Sequence, residues 1–136
     1  METDSSPDFN VALLGCGRIS ARHSQLLGGG QIQGAKLCAV CDLSEENAKR
    51  IGDKYSVPTY TDMHEMMLEV RPDIVVILTE SGNHAKHAVE LAQYGAHIVV
   101  EKPMALTLSD ADRMIEACDS AGVKLFVVKQ NRFNLP

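Results

Sequence analysis

The run Ile74-Val75-Val76-Ile77-Leu78 is aliphatic at every position and is bounded by Asp73 and Thr79. A strand with one wet face alternates apolar and polar residues, so a run without polar positions is covered on both faces. Similar short runs recur at Asn10–Leu14, Ala35–Cys41, Val57–Tyr60, His97–Val100 and Leu125–Lys129. Helical patterns lie between them. They are expected from Arg18 to about Leu27, from Ser44 to near Tyr55, from a Thr61 cap to Val70, from an Asn83 cap to Gly95, and from a Ser109 cap to Gly122. Ser44 suits an N-cap, Glu45 and Glu46 suit the first turn behind it, and Gly28-Gly29-Gly30 suits a helix end. Six strands alternate with five helices in this reading. Connections this short join parallel strands through right-handed crossovers. The expected class is α/β, an open doubly wound parallel sheet of the Rossmann type with strand order 3-2-1-4-5-6.

A chain of 136 residues, 45% apolar, makes one domain with a core that needs no staples. The first eight residues, Met1 to Asp8, read as a flexible tail, and 9–136 as the folded unit. Thirteen Lys and Arg against 18 Asp and Glu leave a net charge of −5, which argues against nucleic acid or an anionic membrane as main partner. No apolar stretch approaches the ~20 residues that span a bilayer. The N-terminus lacks the basic start and apolar run of a signal peptide, so a cytoplasmic location is expected. Cys16, Cys38, Cys41 and Cys118 are too scattered for a disulfide scaffold.

Between the first strand and the first helix stands Gly15-Cys16-Gly17-Arg18-Ile19-Ser20. A dinucleotide pyrophosphate needs a backbone without a Cβ in its way and free amides at a helix start. Gly15 permits the tight turn, Gly17 the close approach of phosphates, and Ser20 is small enough to pack helix on strand. Asp42 ends the second strand 27 positions after Gly15, and the loop from Gly28 to Gly34 absorbs the excess over the usual ~20. Its carboxylate would accept the adenosine ribose hydroxyls and repel a 2′-phosphate, and neither Leu43 nor Ser44 offers a cation to bind one. NAD is therefore expected over NADP.

Cys38 and Cys41 sit three apart on a strand, where side chains point to opposite faces, so both read as core thiols. His84 and His87 share a helix face but lack further ligands nearby, and no metal is expected. His84 stands close enough to the fourth strand's end to line a cofactor crevice. His23, His64 and His97 have no special context. Glu101-Lys102-Pro103 follows the fifth strand, at the sheet end where ligands gather. Pro103 restricts Lys102 to an extended shape, and a fixed cation there would stabilise an alkoxide forming beside a nicotinamide.

With these pieces together the chain resembles the NAD-binding half of the glucose–fructose oxidoreductase, inositol dehydrogenase and rhizopine-catabolism family (Gfo/Idh/MocA). The matching stretches are Val11–Ile19, Ala39–Asp42, Asp73–Thr79, Asn83-His84 and Glu101–Pro103. The ending from Val127 to Asn134 is similar to members that oxidise sugar nucleotides for lipopolysaccharide synthesis. The resemblance implies that Gly15, Gly17, Arg18 and Ile19 contact the pyrophosphate and that Asp42 holds the adenosine ribose. It implies that Leu78, Thr79, Ser81, Asn83 and His84 line the crevice. Glu101 and the catalytic Lys102 would sit at the nicotinamide ribose and reacting carbon, with Gln130 and Arg132 bordering the nicotinamide and substrate side. The implied partner is a small sugar or sugar-nucleotide substrate. Members continue into a second α/β domain with most substrate contacts, an acid/base His and the main subunit contacts. That domain is absent here, so the chain reads as a fragment of a longer enzyme that can form a homo-oligomer at full length, the sequence itself leaving the oligomeric state open. The alternative is a non-catalytic NAD(H)-binding module or sensor.

Overall fold

The computed structural model describes residues 9–17 and 19–128, and of Ser81 the backbone alone. In chain order the elements are β1 (Phe9–Leu14), α1 (Ser20–Gly28), β2 (Ala35–Cys41), α2 (Glu45–Tyr55), β3 (Thr59–Tyr60), α3 (Met63–Val70), β4 (Ile74–Ile77), α4 (His84–Leu91), β5 (His97–Glu101), α5 (Leu108–Ala121) and β6 (Leu125–Val128). Short 3-10 turns flank α4 at Ser81–Asn83 and Ala92–Tyr94. The expected tail Met1–Asp8 and the expected end of β6 at Lys129 lie outside the described residues.

The strands form one sheet in the order β3-β2-β1-β4-β5-β6, every pair parallel, as the sequence reading expects. The chain winds outward from β1 through β2 to β3, then crosses back to lay β4 on the other side of β1. That reversal opens a crevice at the carboxyl ends of β1 and β4, where helices leave toward opposite faces.

The two faces follow from strand parity. Val11 and Leu13 of β1 pack with Leu27 of α1 and with Ala48 and Ile51 of α2. Ala12 and Leu14 join Val75, Ile77, Ile98 and Val100 against Met66 and Met67 of α3, Leu91 of α4 and Met114 of α5. β4 uses both faces, which is why its sequence has no polar position. Leu13 and Ile77 are fully buried, and truncating either to Ala would cost roughly 2–5 kcal/mol.

β2 breaks parity once. Val11 pairs with Leu37, but Ala12 pairs with Ala39, so Cys38 is an extra residue in the strand. The bulge moves every later side chain of β2 to the other face. Cys38 and Cys41 consequently pack on the same side of the sheet, contrary to the alternation expected of residues three apart. Both are free thiols, as is Cys118.

Helix starts show where cap choice depends on backbone shape. Ser44 accepts from the Asn47 amide as expected. Asp62, not Thr61, caps α3, and Thr107, not Ser109, caps α5. Both actual caps have the extended backbone that an N-cap needs. Asn83 precedes α4 with helical angles and makes no cap bond, because a 3-10 turn already leads into the helix. Among the described residues no helix is long and apolar enough to cross a membrane.

Candidate functional site

β1 ends at Leu14, and Gly15 turns the chain with φ +106°. A Cβ at Gly15 would stand 2.9 Å from the Leu78 carbonyl carbon at the end of β4. The Gly15 N–H donates to the Cys41 carbonyl at 2.7 Å. The close packing of β1 between β2 and β4 therefore demands glycine here. Gly17 differs: among the described residues, its chain neighbours aside, no atom lies within 4 Å of where its Cβ would be. Ser20 is fully buried and its hydroxyl donates to the Gly17 carbonyl at 2.6 Å.

α1 begins at Ser20 without a side-chain cap and without an acidic residue in its first turn. The Ser20 N–H donates to the Gly17 carbonyl at 3.1 Å. The amides that follow it in the first turn need an acceptor from outside the helix, and an oxyanion suits both them and the helix dipole. Asp42 stands at the end of β2. Its Oδ2 accepts from the Cys16 N–H at 2.7 Å and its Oδ1 from the Ser44 N–H at 2.8 Å. Two backbone amides thus hold the carboxylate in place and leave lone pairs for ribose hydroxyls.

A crevice of roughly 880 Å³ opens over this turn, a size in the usual range of ligand sites. Of the residues expected in it, Gly15, Gly17, Asp42, Leu78, Thr79 and Asn83 line it. Asp62, His64, His87 and Glu90 line it too; the sequence reading weighs His87 only as a metal ligand, finds no special context for His64, and does not name Asp62 or Glu90. The Thr79 hydroxyl and His87 Nδ1 are hydrogen-bonded at 2.9 Å, and burial lowers the His87 pKa from its ordinary value. His64 ties α3 to α4 through Glu90 Oε1 at 3.1 Å and through the Tyr94 hydroxyl.

His84 lies beneath the crevice wall, 2% exposed. Its Nε2 is 2.8 Å from the Thr79 carbonyl oxygen and its Nδ1 is 3.0 Å from that of Pro103. The ring thus joins the loops after β4 and β5 and offers no free nitrogen to a cofactor. Glu101 is 8% exposed, and its Oε2 accepts from His23 Nε2 at 2.6 Å. His23 is one turn into α1, on the side of the buried Ser20 and Ser24, and its partner lies 78 residues away. No local pattern could have flagged it. Lys102 is exposed, the Lys102–Pro103 bond is cis, and among the described residues no carboxylate pairs with the lysine. Glu101 and Lys102 stand at the end of β5, beyond β4 from the glycine turn, and do not line the 880 Å³ crevice. Ile19 precedes α1 and is half exposed, and Ser81 opens the 3-10 turn before α4. Arg18, Gln130 and Arg132 lie outside the described residues.

Among the described residues no group of three or more His, Cys, Asp or Glu is arranged to hold a metal ion. Burial, reinforced by nearby negative charge, pushes the Cys16 and Cys41 thiols up to about 12, too high for a nucleophile at neutral pH.

A bare helix start, an open glycine and an anchored carboxylate are the parts a dinucleotide needs, and the residues fit one. Comparison with known proteins points the same way. A family model described as "Oxidoreductase family, NAD-binding Rossmann fold" (Gfo/Idh/MocA) matches residues 9–129. D-apiose dehydrogenase of Paraburkholderia graminis is 36% identical over 126 residues, which are 92% of this chain and 33% of that protein. Myo-inositol 2-dehydrogenase of Thermotoga maritima is 32% identical over 127 residues, 93% of this chain and 37% of the relative. Among solved structures, the WlbA dehydrogenase of Bordetella pertussis, in complex with NADH and UDP-GlcNAcA, superposes with a TM-score of 0.86 at 40% identity. That match covers 93% of this chain and 38% of the other. The WlbA dehydrogenase of Chromobacterium violaceum, with the same ligands, gives 0.89 at 34% identity over 98% of this chain and 39% of the other. The chain spans about a third of the length of the curated relatives it matches.

Proposed function

Because the chain belongs to the Gfo/Idh/MocA oxidoreductase family, matched through its NAD-binding Rossmann fold, we propose that it holds NAD for a dehydrogenase acting on a sugar or sugar-nucleotide hydroxyl. The observation that carries this reading is the uncapped start of α1 beside Gly17, with Asp42 fixed at the neighbouring strand end. A sugar nucleotide is supported by the similarity to the two WlbA dehydrogenases complexed with UDP-GlcNAcA.

When bound, the nicotinamide ring would accept the hydride. The chain's own residues bind and orient it. The first amides of α1 and the backbone at Gly17 take the pyrophosphate, and Asp42 takes the adenosine ribose. Glu101, paired with His23, fixes the end of β5, and the adjacent Lys102 ammonium supports the oxygen that loses its proton.

Titration of the chain with NADH and NADPH tests the cofactor half of this reading. Asp42 would face a 2′-phosphate, and like-charge apposition in a partly dry site costs several kcal/mol. NADH is expected to bind at least about tenfold tighter, since each ~1.4 kcal/mol is tenfold in Kd. Equal affinities would overturn it.

A further inference from the structure

Leu43 and Ser44 carry no cation, so the residues beside Asp42 in sequence close the site to NADP. The fold brings a cation from elsewhere. Arg50, in the second turn of α2, donates from Nη2 to the Cys16 carbonyl at 3.0 Å and from Nη1 to Asn47 Oδ1 at 3.1 Å. Asp42 holds the same cysteine by its amide at 2.7 Å. The N and O atoms of one residue are only a few ångströms apart, so carboxylate and guanidinium are neighbours across a single backbone unit. The buried Cys16 thiol registers both: Asp42 pushes its pKa up and Arg50 pulls it down.

Two of the five N–H donors of Arg50 are engaged in these bonds, and among the described residues no carboxylate pairs with it. A guanidinium with donors to spare is the side chain best shaped for a phosphate. In sheets of this kind the acid at the end of β2 meets the ribose 2′-hydroxyl, and an arginine nearby accommodates a 2′-phosphate. Here both groups are present at one turn. Lys86, a cation that lines the crevice, comes from α4 on the opposite face of the sheet, whereas Arg50 is outside the lining and reaches the turn through the Cys16 carbonyl.

We propose that Arg50 is a specificity-determining residue, a latent 2′-phosphate site that Asp42 holds shut. Discrimination between the two cofactors is then the difference between one repulsive and one attractive group at the same turn. The inference rests on the proposed binding of NAD.

The test is a titration of NADH and NADPH into the wild-type chain, Asp42→Ser, Asp42→Asn, and Asp42→Ser combined with Arg50→Gln or Arg50→Lys. Circular dichroism establishes that each is folded. Removing the carboxylate should tighten NADPH binding by about tenfold or more, the scale of one charge-assisted hydrogen bond. Adding Arg50→Gln should reverse most of that gain and weaken NADPH by more than it weakens NADH, with Arg50→Lys between. Equal losses for both cofactors would mean that Arg50 only holds the turn through Cys16 and would overturn the proposal. So would failure of both Asp42 variants to gain NADPH affinity. A folded wild-type chain that binds no NADH would instead remove the cofactor reading itself.

Discussion

Gly15 and Gly17 stand two residues apart and respond differently to a side chain. At Gly15 a Cβ would meet the Leu78 backbone at 2.9 Å with φ at +106°, and that backbone is tied to β1 by the Leu78 N–H, which donates to the Leu14 carbonyl at 2.7 Å. Gly15→Ala should therefore destabilise the fold by ~2 kcal/mol or more, from a left-handed residue and an overpacked contact together. Denaturant midpoints measure this, and an unchanged midpoint would contradict the packing argument. At Gly17 the same Cβ meets nothing within 4 Å among the described residues beyond its chain neighbours. Gly17→Val should keep its melting temperature yet lose about tenfold or more in NADH affinity, because the side chain fills the space left for phosphate. A folded Gly17→Val chain with unaltered affinity would show that the cofactor does not need the space at Gly17. The glycine pair, Ser20 and Asp42 are legible in sequence because their roles depend on neighbours within one strand–turn–helix unit. The His23–Glu101 pair and the hold of Arg50 on Cys16 are not, because each joins residues 78 or 34 positions apart.

At the scale of elements, α4 carries a group whose titration bears on both stability and the crevice. Burial lowers the His87 pKa from its ordinary 6.5, so the folded protein binds its proton less readily than the unfolded chain. Stability from this group is complete above 6.5, declines as pH falls through that value, and stops changing below the folded pKa, where both states are protonated. The same ring is hydrogen-bonded through Nδ1 to the Thr79 hydroxyl at the crevice. Urea midpoints at several pH values between about 7.5 and 5 should fall with pH in the wild type and fall less steeply in His87→Gln. Identical slopes would show that the buried ring is not the cause. The element count and type follow from periodicity, since apolar runs and caps are local signals. The caps fall at Asp62, one residue after the expected Thr61, and at Thr107, two before the expected Ser109, because several candidates stand side by side and backbone angles choose among them. The Cys38 bulge left no mark in the pattern, because its flanking residues are apolar on either face.

For the whole molecule, the strand order follows from parallel pairing and right-handed crossovers, rules that leave few alternatives once the alternation is read. The same topology sets Lys102 one strand beyond the crevice that Asp42 borders. Two explanations of the lysine compete. If it served structure, Glu101 would be its natural partner, and losing such an exposed pair would cost ~0–1 kcal/mol. Glu101 is instead bonded to His23, and among the described residues Lys102 has no ion pair. An unpaired cation beside a fixed carboxylate at the end of a buried strand is suited to a charge that appears only during reaction. In a protein of the length of the relatives, Lys102→Met should leave melting temperature and most NADH affinity in place. It should lower kcat by at least ~10²-fold, as loss of a group stabilising transition-state charge does. The 136-residue chain should bind NADH but turn over sugar nucleotides negligibly. The remaining two thirds of such a protein would have to orient the substrate and supply general acid–base help, itself worth ~10²–10⁴-fold. Robust NADH production by the chain alone would make it a complete enzyme. A Lys102→Met protein that melts early but keeps its kcat per folded molecule would assign the lysine to structure.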